Sequence, residues 1–589
     1  MLFRSDDVSI RDSAYVHVKT LSQLFTVLVL EGTDRRVGYF TFALNFYLGG
    51  LDTFGYHLTN ILIHILNGWL IFWLIRKTLM LPRVRATAFA PGAEQAPEAE
   101  AVARRAWTIA FFSALIWLVH PVQIQAVTYI VQRLASLSVL LVLISLALYL
   151  SGRLRTDRSR YLFYGGSALA GLLGMGVKQT AAMFPFLIFL YELYFFHESP
   201  WRALKRRWAW AVLLAVLPVG ILVAYMGPTF WEKLQAGYAG RDFTMGQRLL
   251  SGARVTFYYL SLIAWPLPSR LTVDYDFPVS SSLWQPPTTL PSVIAILALV
   301  GWALATASSR RLLSFSMLWF LGNLVPESTI MPLDLVFEHR LYLASLGPIA
   351  AATAFVVQAL SARRTWLAAL LLSLAAATLA VWTYQRNEVW TDPVRLWSDN
   401  LQKSPGKARV HGNLGKALLD AGRYQEAAAE FETVLTLNPA FLGAYNSLAV
   451  IYIDHLKQYD RATQYLRAAL ERNPNYPDAY LNLGVIALNE RRLGDAIQAL
   501  TKVLELDPQN LLGHYNLAAC YVNLRDFPKP FEILDRGLAY WPASHRLYLL
   551  KGRAYLLTRN LPEARNALER AYILRPDDPE IRYYLAQVR

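Results

Sequence analysis

Cysteine is nearly absent: Cys520 is the only one in 589 residues, so no intrachain disulfide can form and the redox compartment is not legible from it. Charge is sparse as well, at 17% of residues against 55% hydrophobic, and it is unevenly spread. Apolar runs dominate up to about Tyr384 and charged amphipathic helices follow, which requires at least two domains. No Walker loop, Gly-x-Gly-x-x-Gly or Gly-x-Ser-x-Gly occurs, so ATP drive, dinucleotide chemistry and serine hydrolysis have no support. No cleavable signal peptide is visible. His57 and His64 bracket a helix with Asn60 between them, but no cysteine or nearby carboxylate completes a metal set. The net charge of +15 does not indicate nucleic acid, because Lys and Arg sit in short clusters between apolar runs, as in loops on one side of a bilayer.

Those runs predict about ten membrane spans, near residues 57–76, 107–120, 131–151, 161–177, 180–196, 208–226, 290–308, 312–325, 341–360 and 365–384. The clusters around Arg76–Arg105, Arg153–Arg160, Arg202–Arg207, Arg310–Arg311 and Arg363–Arg364 then share one side, which the positive-inside rule makes cytoplasmic. The outer side receives residues 1–56, the loops 227–289 and 326–340, and everything after the last span. The run 252–267 is apolar enough to be counted, but a crossing there would carry Arg310–Arg311 outside. Tyr258, Tyr259, Trp265 and Pro266 mark it instead as an interfacial or re-entrant helix. Residues 86–103, rich in Ala, Pro and Glu, are expected to form a disordered linker.

After the spans, Pro405, Pro439, Pro474, Pro508, Pro542 and Pro576 recur at about 34 residues, the period of the tetratricopeptide helix pair. Gly415, Gly484 and Gly552 permit close helix packing, and Ala427, Ala462, Ala496 and Ala564 are expected at the tight contact between helices. The predicted fold is all-α, a polytopic membrane domain over 1–387 followed by an α-solenoid over 388–589. Asn413, Asn446, Asn482 and Asn516 are read as equivalent places one residue before a packing Leu and are expected to line the concave groove. A ladder of carboxamides there would offer donor and acceptor to an extended peptide, with little regard to its sequence. Any one of them is also an ordinary helix-surface Asn, and Lys551 ends the series in the fifth repeat.

In the membrane half the expected outer loops hold most of the acidic residues: Asp6 with Asp7, Asp274 with Asp276, and Glu327 with Glu338, His339 and Arg340. Adjacent carboxylates can split roles, one raised in pKa and poised to take a hydroxyl proton. A lone Asp-Asp pair also fits a solvated tail. His120 ends one span, Gln132 and Arg133 lie within the outer turns of the next, and Lys178 sits in a tight outer connection. Each cation there needs an anion, either a carboxylate or a lipid phosphate. Several on one face suit a phosphate-linked donor carried in the lipid.

The segments FRSDDVSI, YFTFALNFYLGGLDTFGYHLTNILIHILN, HPVQIQAVTYIVQR, LPSRLTVDYDFPVS and PESTIMPLDLVFEHRLYL, together with the repeats, resemble bacterial relatives of the transmembrane and tetratricopeptide-repeat-containing O-mannosyltransferases. The resemblance covers essentially the whole chain. It implies a C-fold glycosyltransferase that uses a lipid-phosphate sugar, with the catalytic acid of the first outer loop at Asp6 or Asp7. Members of the family usually place a span before that pair, so the resemblance implies a preceding span; Gln179 stands where relatives often carry an acid. The implied reaction is a single, inverting displacement: an acceptor Ser or Thr hydroxyl attacks the anomeric carbon of a polyprenyl-phosphate sugar. Enzymes of this class generally resemble one another in working without metal, while Asp6 and Asp7 together could also hold a divalent ion. Arg133, His339 and Arg340, with Lys178, Arg270, Glu338, His120 and Gln132, are the expected donor-binding set. The expected partners are the lipid-linked donor, exported acceptor proteins held by the solenoid, and membrane lipids, at a bacterial inner membrane with site and solenoid outside. A membrane-anchored scaffold for envelope assembly and a polysaccharide ligase or polymerase are the alternatives.

Overall fold

The computed structural model describes residues 16–29, 35–88, 96–209, 229–360 and 364–588, with residues 212, 220 and 227. Among them the chain is all-α. It divides into two compact units, Met1–Pro405 and Gly406–Arg589. The helix Pro393–Lys403, beyond residue 387, therefore packs with the membrane half.

Among the described residues, five helices are long and apolar enough to cross a membrane by length and composition: Thr53–Leu79, Ala99–Leu118, Ile130–Arg153, Gln179–Phe196 and Thr365–Val389. The pair Glu338–Ala344 and Leu346–Ala359, bent by 54°, would make a sixth. This is fewer than the ten expected. Arg160–Met175 has only 16 residues, about 24 Å of helix against a core of about 30 Å. Thr289–Ala305 is apolar but short, and Arg311–Ser328 carries Ser, Asn and Pro326 within its 18 residues. The expected span 208–226 lies almost wholly outside the described residues. Met245–Ala264 forms a helix, capped by Thr244, but is not among those apolar enough to span. The expected linker 86–103 is helical in its described parts, because the Ala- and Glu-rich stretch from Ala96 extends the next apolar helix by its own propensity.

Thr53–Leu79 shows how the membrane unit is organised. Asp52 caps its first turn and Arg76 and Lys77 occupy its last, both favourable to the helix dipole. Its polar residues Asn60, His64 and Asn67 are buried, while Leu62, Ile65 and Trp69 are exposed. Polar inside and apolar outside is the arrangement a helix presents to lipid. The buried groups find partners: His64 Nε2 donates to Leu118 O at 2.9 Å, its Nδ1 accepts from the Tyr342 hydroxyl at 2.8 Å, and Asn67 donates to Ser136 O at 3.0 Å.

The second unit contains five helix pairs and the last helix, Pro579–Ala586. Ala427, Ala462, Ala496 and Ala564 are fully buried. A Cβ on Gly484 or Gly552 would come 2.6 Å from the Leu500 or Leu568 side chain, so only glycine fits there without rearrangement. Gly415, Ala449, Gly484, Ala518 and Gly552 are buried at equivalent places. That register corrects the expected ladder: Ser447, not Asn446, matches Asn413, Asn482 and Asn516, and Leu550 rather than Lys551 takes the fifth place. Asn446 stands two residues before the packing Leu448, where Asn413, Asn482 and Asn516 stand one before theirs. The same repeat also holds an extra residue, beyond Ala449. Eight positions separate Ala449 from the left-handed turn at Lys457, where seven separate Gly484 from Arg491, and a π-helical turn over Ile451–His455 absorbs the difference.

Candidate active site

Where the helix Arg311–Ser328 ends, Glu327 meets two cations. Lys178 Nζ lies 2.6 Å from Glu327 Oε1, and Arg340 Nε lies 3.4 Å from Oε2. All three side chains are largely withdrawn from solvent, at 13%, 12% and 2% exposure for Lys178, Glu327 and Arg340. Glu327 lies beyond the expected span 312–325. Burial pushes its carboxyl up, but Lys178, His339 and Arg340 outweigh burial and hold it at about 2.

Three arginines fix the segment that carries this group. Arg248 is 1% exposed and donates to Glu327 O at 2.6 Å, Thr329 O at 3.0 Å, Asp334 O at 3.1 Å and Leu333 O. Arg340 donates to Asp334 O and Leu335 O at 2.8 and 2.9 Å, and Arg241 pairs with Asp334 at 2.6 Å. Gly252 lets the helix of Arg248 pass this corner, since a Cβ there would stand 2.8 Å from Ser328 O. The Tyr259 hydroxyl accepts from Phe337 N–H and donates to Phe337 O, at 2.9 and 3.2 Å. His339 follows, its backbone N–H and Nδ1 both facing Gln125 Oε1 at 2.8 and 3.1 Å.

Glu338 belongs to a neighbouring network. It is 1% exposed and accepts from the Tyr275 hydroxyl at 2.7 Å. Tyr275 sits in a loop held by the helix Pro393–Lys403: Asn400 Oδ1 accepts from Val273 N at 2.7 Å and from the Thr272 hydroxyl, and the Ser404 hydroxyl donates to Asp274 O at 2.6 Å. Lys403 and Arg386 share Asp399, each at 2.7 Å, and Lys403 also donates to Pro268 O and Leu271 O. The first helix after the last apolar one thus clamps the loop beside the Glu327 cluster.

The structure brings Lys178, His339 and Arg340 together from the expected donor-binding set, with Glu338 next to them. The others stand apart. Arg133 is fully buried and donates to Asn60 Oδ1, Asn45 Oδ1, Thr41 O and Tyr56 O at 2.5–3.1 Å, so it ties three helices together. Gln132 lies in the 3-10 turn Ile130–Gln132 beside it. His120 caps the turn Pro121–Gln123 and donates through Nε2 to Ile263 O at 2.9 Å. Arg270 closes the end of the 245–264 helix through Ser261 and Trp265. Asp6 and Asp7 lie outside the described residues. In the second unit, Asn482 Nδ2 donates to Asn446 Oδ1 at 2.6 Å, and Asn413 and Asn516 are half-buried.

Gln125, Arg248, Tyr275 and Asn400 were not singled out from sequence, and Tyr259 only as an interfacial aromatic. Arg248 alone carries a local signal, a charge, with Arg254, inside a largely apolar amphipathic run. Among the described residues no group of three or more His, Cys, Asp or Glu is arranged to hold a metal.

The repeat unit matches tetratricopeptide-repeat families over residues 413–477, 455–510 and 545–588. Beyond the repeats, the chain is 25% identical over 549 residues to the protein O-mannosyl-transferase Tmtc3 of Drosophila melanogaster, covering 82% of this chain and 58% of that protein. It is 24% identical to human protein O-mannosyl-transferase TMTC1, covering 71% of this chain and 50% of the relative. A Caenorhabditis elegans protein O-mannosyl-transferase, F38B6.6, is 25% identical over 69% of this chain and 54% of its own length. The chain thus spans about half the length of these relatives. With its apolar helices, its repeats and matches that reach across both units, this protein is a distant relative of the protein O-mannosyl-transferases.

Proposed function

We propose that this protein is a membrane glycosyltransferase that moves a hexose, mannose by the names of its relatives, from a polyprenyl-phosphate carrier to Ser or Thr of exported proteins. The carrying observation is the buried Glu327 cluster, where two cations, Lys178 and Arg340, face one carboxylate. The excess positive charge suits a phosphate that gains charge as the sugar departs. Glu327 holds both cations in place while no anion is bound, and a donor phosphate can share them.

The attack itself needs a base. Asp6 or Asp7, from the resemblance, takes the proton of the acceptor hydroxyl; that oxygen bonds to the anomeric carbon, and the phosphate leaves with the bonding pair and inverts the centre. The repeats bind the acceptor polypeptide, as carboxamides and aromatic faces of such a groove can. We place the reaction at the outer face of a bacterial inner membrane, from the side on which the basic loops do not lie.

The test is transfer of radiolabelled hexose from a short polyprenyl-phosphate donor to a Ser/Thr-containing peptide by the full chain in nanodiscs. Wild type transfers; Lys178→Met does not, with donor affinity lowered at least tenfold. Transfer at the wild-type rate by Lys178→Met contradicts the assignment of the donor phosphate.

A further inference from the structure

His339 is held by three contacts, and together they decide which of its nitrogens is open. Its backbone N–H faces the side-chain amide of Gln125 at 2.8 Å. A backbone nitrogen only donates, so the amide atom opposite it must be the oxygen, and the orientation of Gln125 follows from chemistry. The same oxygen lies 3.1 Å from His339 Nδ1. An amide oxygen only accepts, so Nδ1 must carry a hydrogen. The Phe337 ring stacks on the imidazole at 5.1 Å between centroids, and Phe337 is itself pinned at both backbone groups by Tyr259. The neutral ring is therefore fixed as the Nδ1–H tautomer, with the lone pair on Nε2.

Nε2 has no hydrogen-bond partner among the described residues, and the ring is half-buried. Gln125, by contrast, is 2% exposed on the five-residue helix Ile124–Thr128, where its oxygen serves nothing but His339. The ionisable groups that bear on the ring are Lys178, Glu327 and Arg340. Two of them offer only donors to an incoming ligand, and the third is already engaged by both. A site made of cations alone would recognise phosphate and nothing else. Nε2 supplies the missing acceptor.

We infer that His339 is a hydroxyl-binding residue whose tautomer Gln125 sets as a positioning residue: Nε2 accepts the hydrogen bond of a ligand hydroxyl while the neighbouring cations hold a phosphate. This deepens the reading of the site given above and rests on it for the identity of the ligand, though not for the tautomer. The hydroxyl belongs either to the donor sugar or to the acceptor Ser or Thr. The chemistry at Nε2 is the same for both.

The test uses the full chain in nanodiscs and site-resolved mass spectrometry of carbethoxylation by diethyl pyrocarbonate, which attacks the unprotonated, open imidazole nitrogen. His339 reacts in wild type. Gln125→Glu keeps both accepted bonds but adds a negative charge at Nδ1–H, so the pH at which half the ring reacts rises by about one unit. Gln125→Leu lacks that rise. An unreactive His339, or the same midpoint in Gln125→Glu as in wild type, overturns the tautomer assignment. Ligands then separate the sources: protection by polyprenyl-phosphate hexose but not by polyprenyl phosphate assigns the sugar hydroxyl, and protection by the Ser/Thr peptide but not by its Ala counterpart assigns the acceptor hydroxyl. Equal protection by bare polyprenyl phosphate, or by none of these, overturns the hydroxyl role. In kinetics, His339→Gln raises the KM of whichever substrate protects, about tenfold, with the other KM unchanged. A chain that transfers no sugar at all overturns the proposed function, and the carbethoxylation midpoints still decide the tautomer.

Discussion

Lys178 and Glu327, 149 positions apart in sequence, form an ion pair at 2.6 Å in which neither side chain exposes more than 13% of its surface. Withdrawing two charges from water is costly, and the pair persists because each compensates the other and Arg340 adds a second cation. Removing one partner leaves an unpaired buried charge. Glu327→Gln is therefore expected to destabilise the membrane unit by about 3 kcal/mol, and Lys178→Met with Glu327→Leu together by distinctly less than the sum of the single changes. Thermal unfolding in detergent of the four members of this cycle measures the coupling.

The same pair has a pH signature. Glu327 has a carboxyl held at about 2 in the fold, below its ordinary value near 4.5. A group whose pKa falls on folding stabilises above its unfolded value and loses that contribution as pH drops toward its folded one. The stability lost on Glu327→Gln should be constant from about pH 8 to 5 and shrink by about 3 kcal/mol as pH falls from about 4.5 to 2. Urea titration of both proteins at stepped pH checks the sign; a difference that grows on acidification contradicts it.

In the repeats, the turn between paired helices takes a left-handed residue each time: Gly422 at φ 77°, then Lys457, Arg491, Arg525 and Arg559 at 54–60°. Side chains other than glycine are strained there by about 1 kcal/mol or more. Arg491→Gly or Arg525→Gly relieves that strain, offset by a larger unfolded-state entropy, for a net gain of about 0.5–1 kcal/mol each. The reverse change, Gly422→Ala, should destabilise by about 1 kcal/mol. Denaturant midpoints of the full chain, followed through the repeat helices, measure all three.

Cys520 is fully buried and its thiol is pushed up to about 11 by burial. The thiolate that reacts with aromatic disulfide reagents is scarce at pH 8. Labelling should proceed only as fast as the surrounding repeat opens, so the rate reports unfolding and should rise in step with denaturant.

The fold was legible where pattern is periodic and local. Prolines at about 34 residues, with Ala427, Ala462 and Ala496 in register, suffice for helix pairs, because each repeat packs chiefly on its neighbours. The same reasoning misplaced Asn446, which stands two residues before the packing Leu448 where Asn413, Asn482 and Asn516 stand one before theirs. Apolar runs located the helices but not which of them are long enough to span; Arg160–Met175 is apolar and too short. For the site, Lys178, His339 and Arg340 were visible as charges where charge is costly. Arg133 gave the same signal and proves to be a buried strut, because depth in the sequence does not say whether a cation finds protein or ligand. Gln125 and Asn400 gave none: uncharged polar residues acquire a role only through tertiary neighbours.

The central claim is that this membrane unit transfers sugar from a lipid phosphate, and one measurement addresses it directly. Full chain in nanodiscs is given radiolabelled polyprenyl-phosphate hexose and a Ser/Thr peptide, in parallel for wild type and for the double change Asp6→Asn with Asp7→Asn. The account predicts alkali-labile label on the peptide with wild type and none with the double variant, at equal expression and with unchanged thermal unfolding. Label transferred equally by both proteins, or by neither, contradicts it.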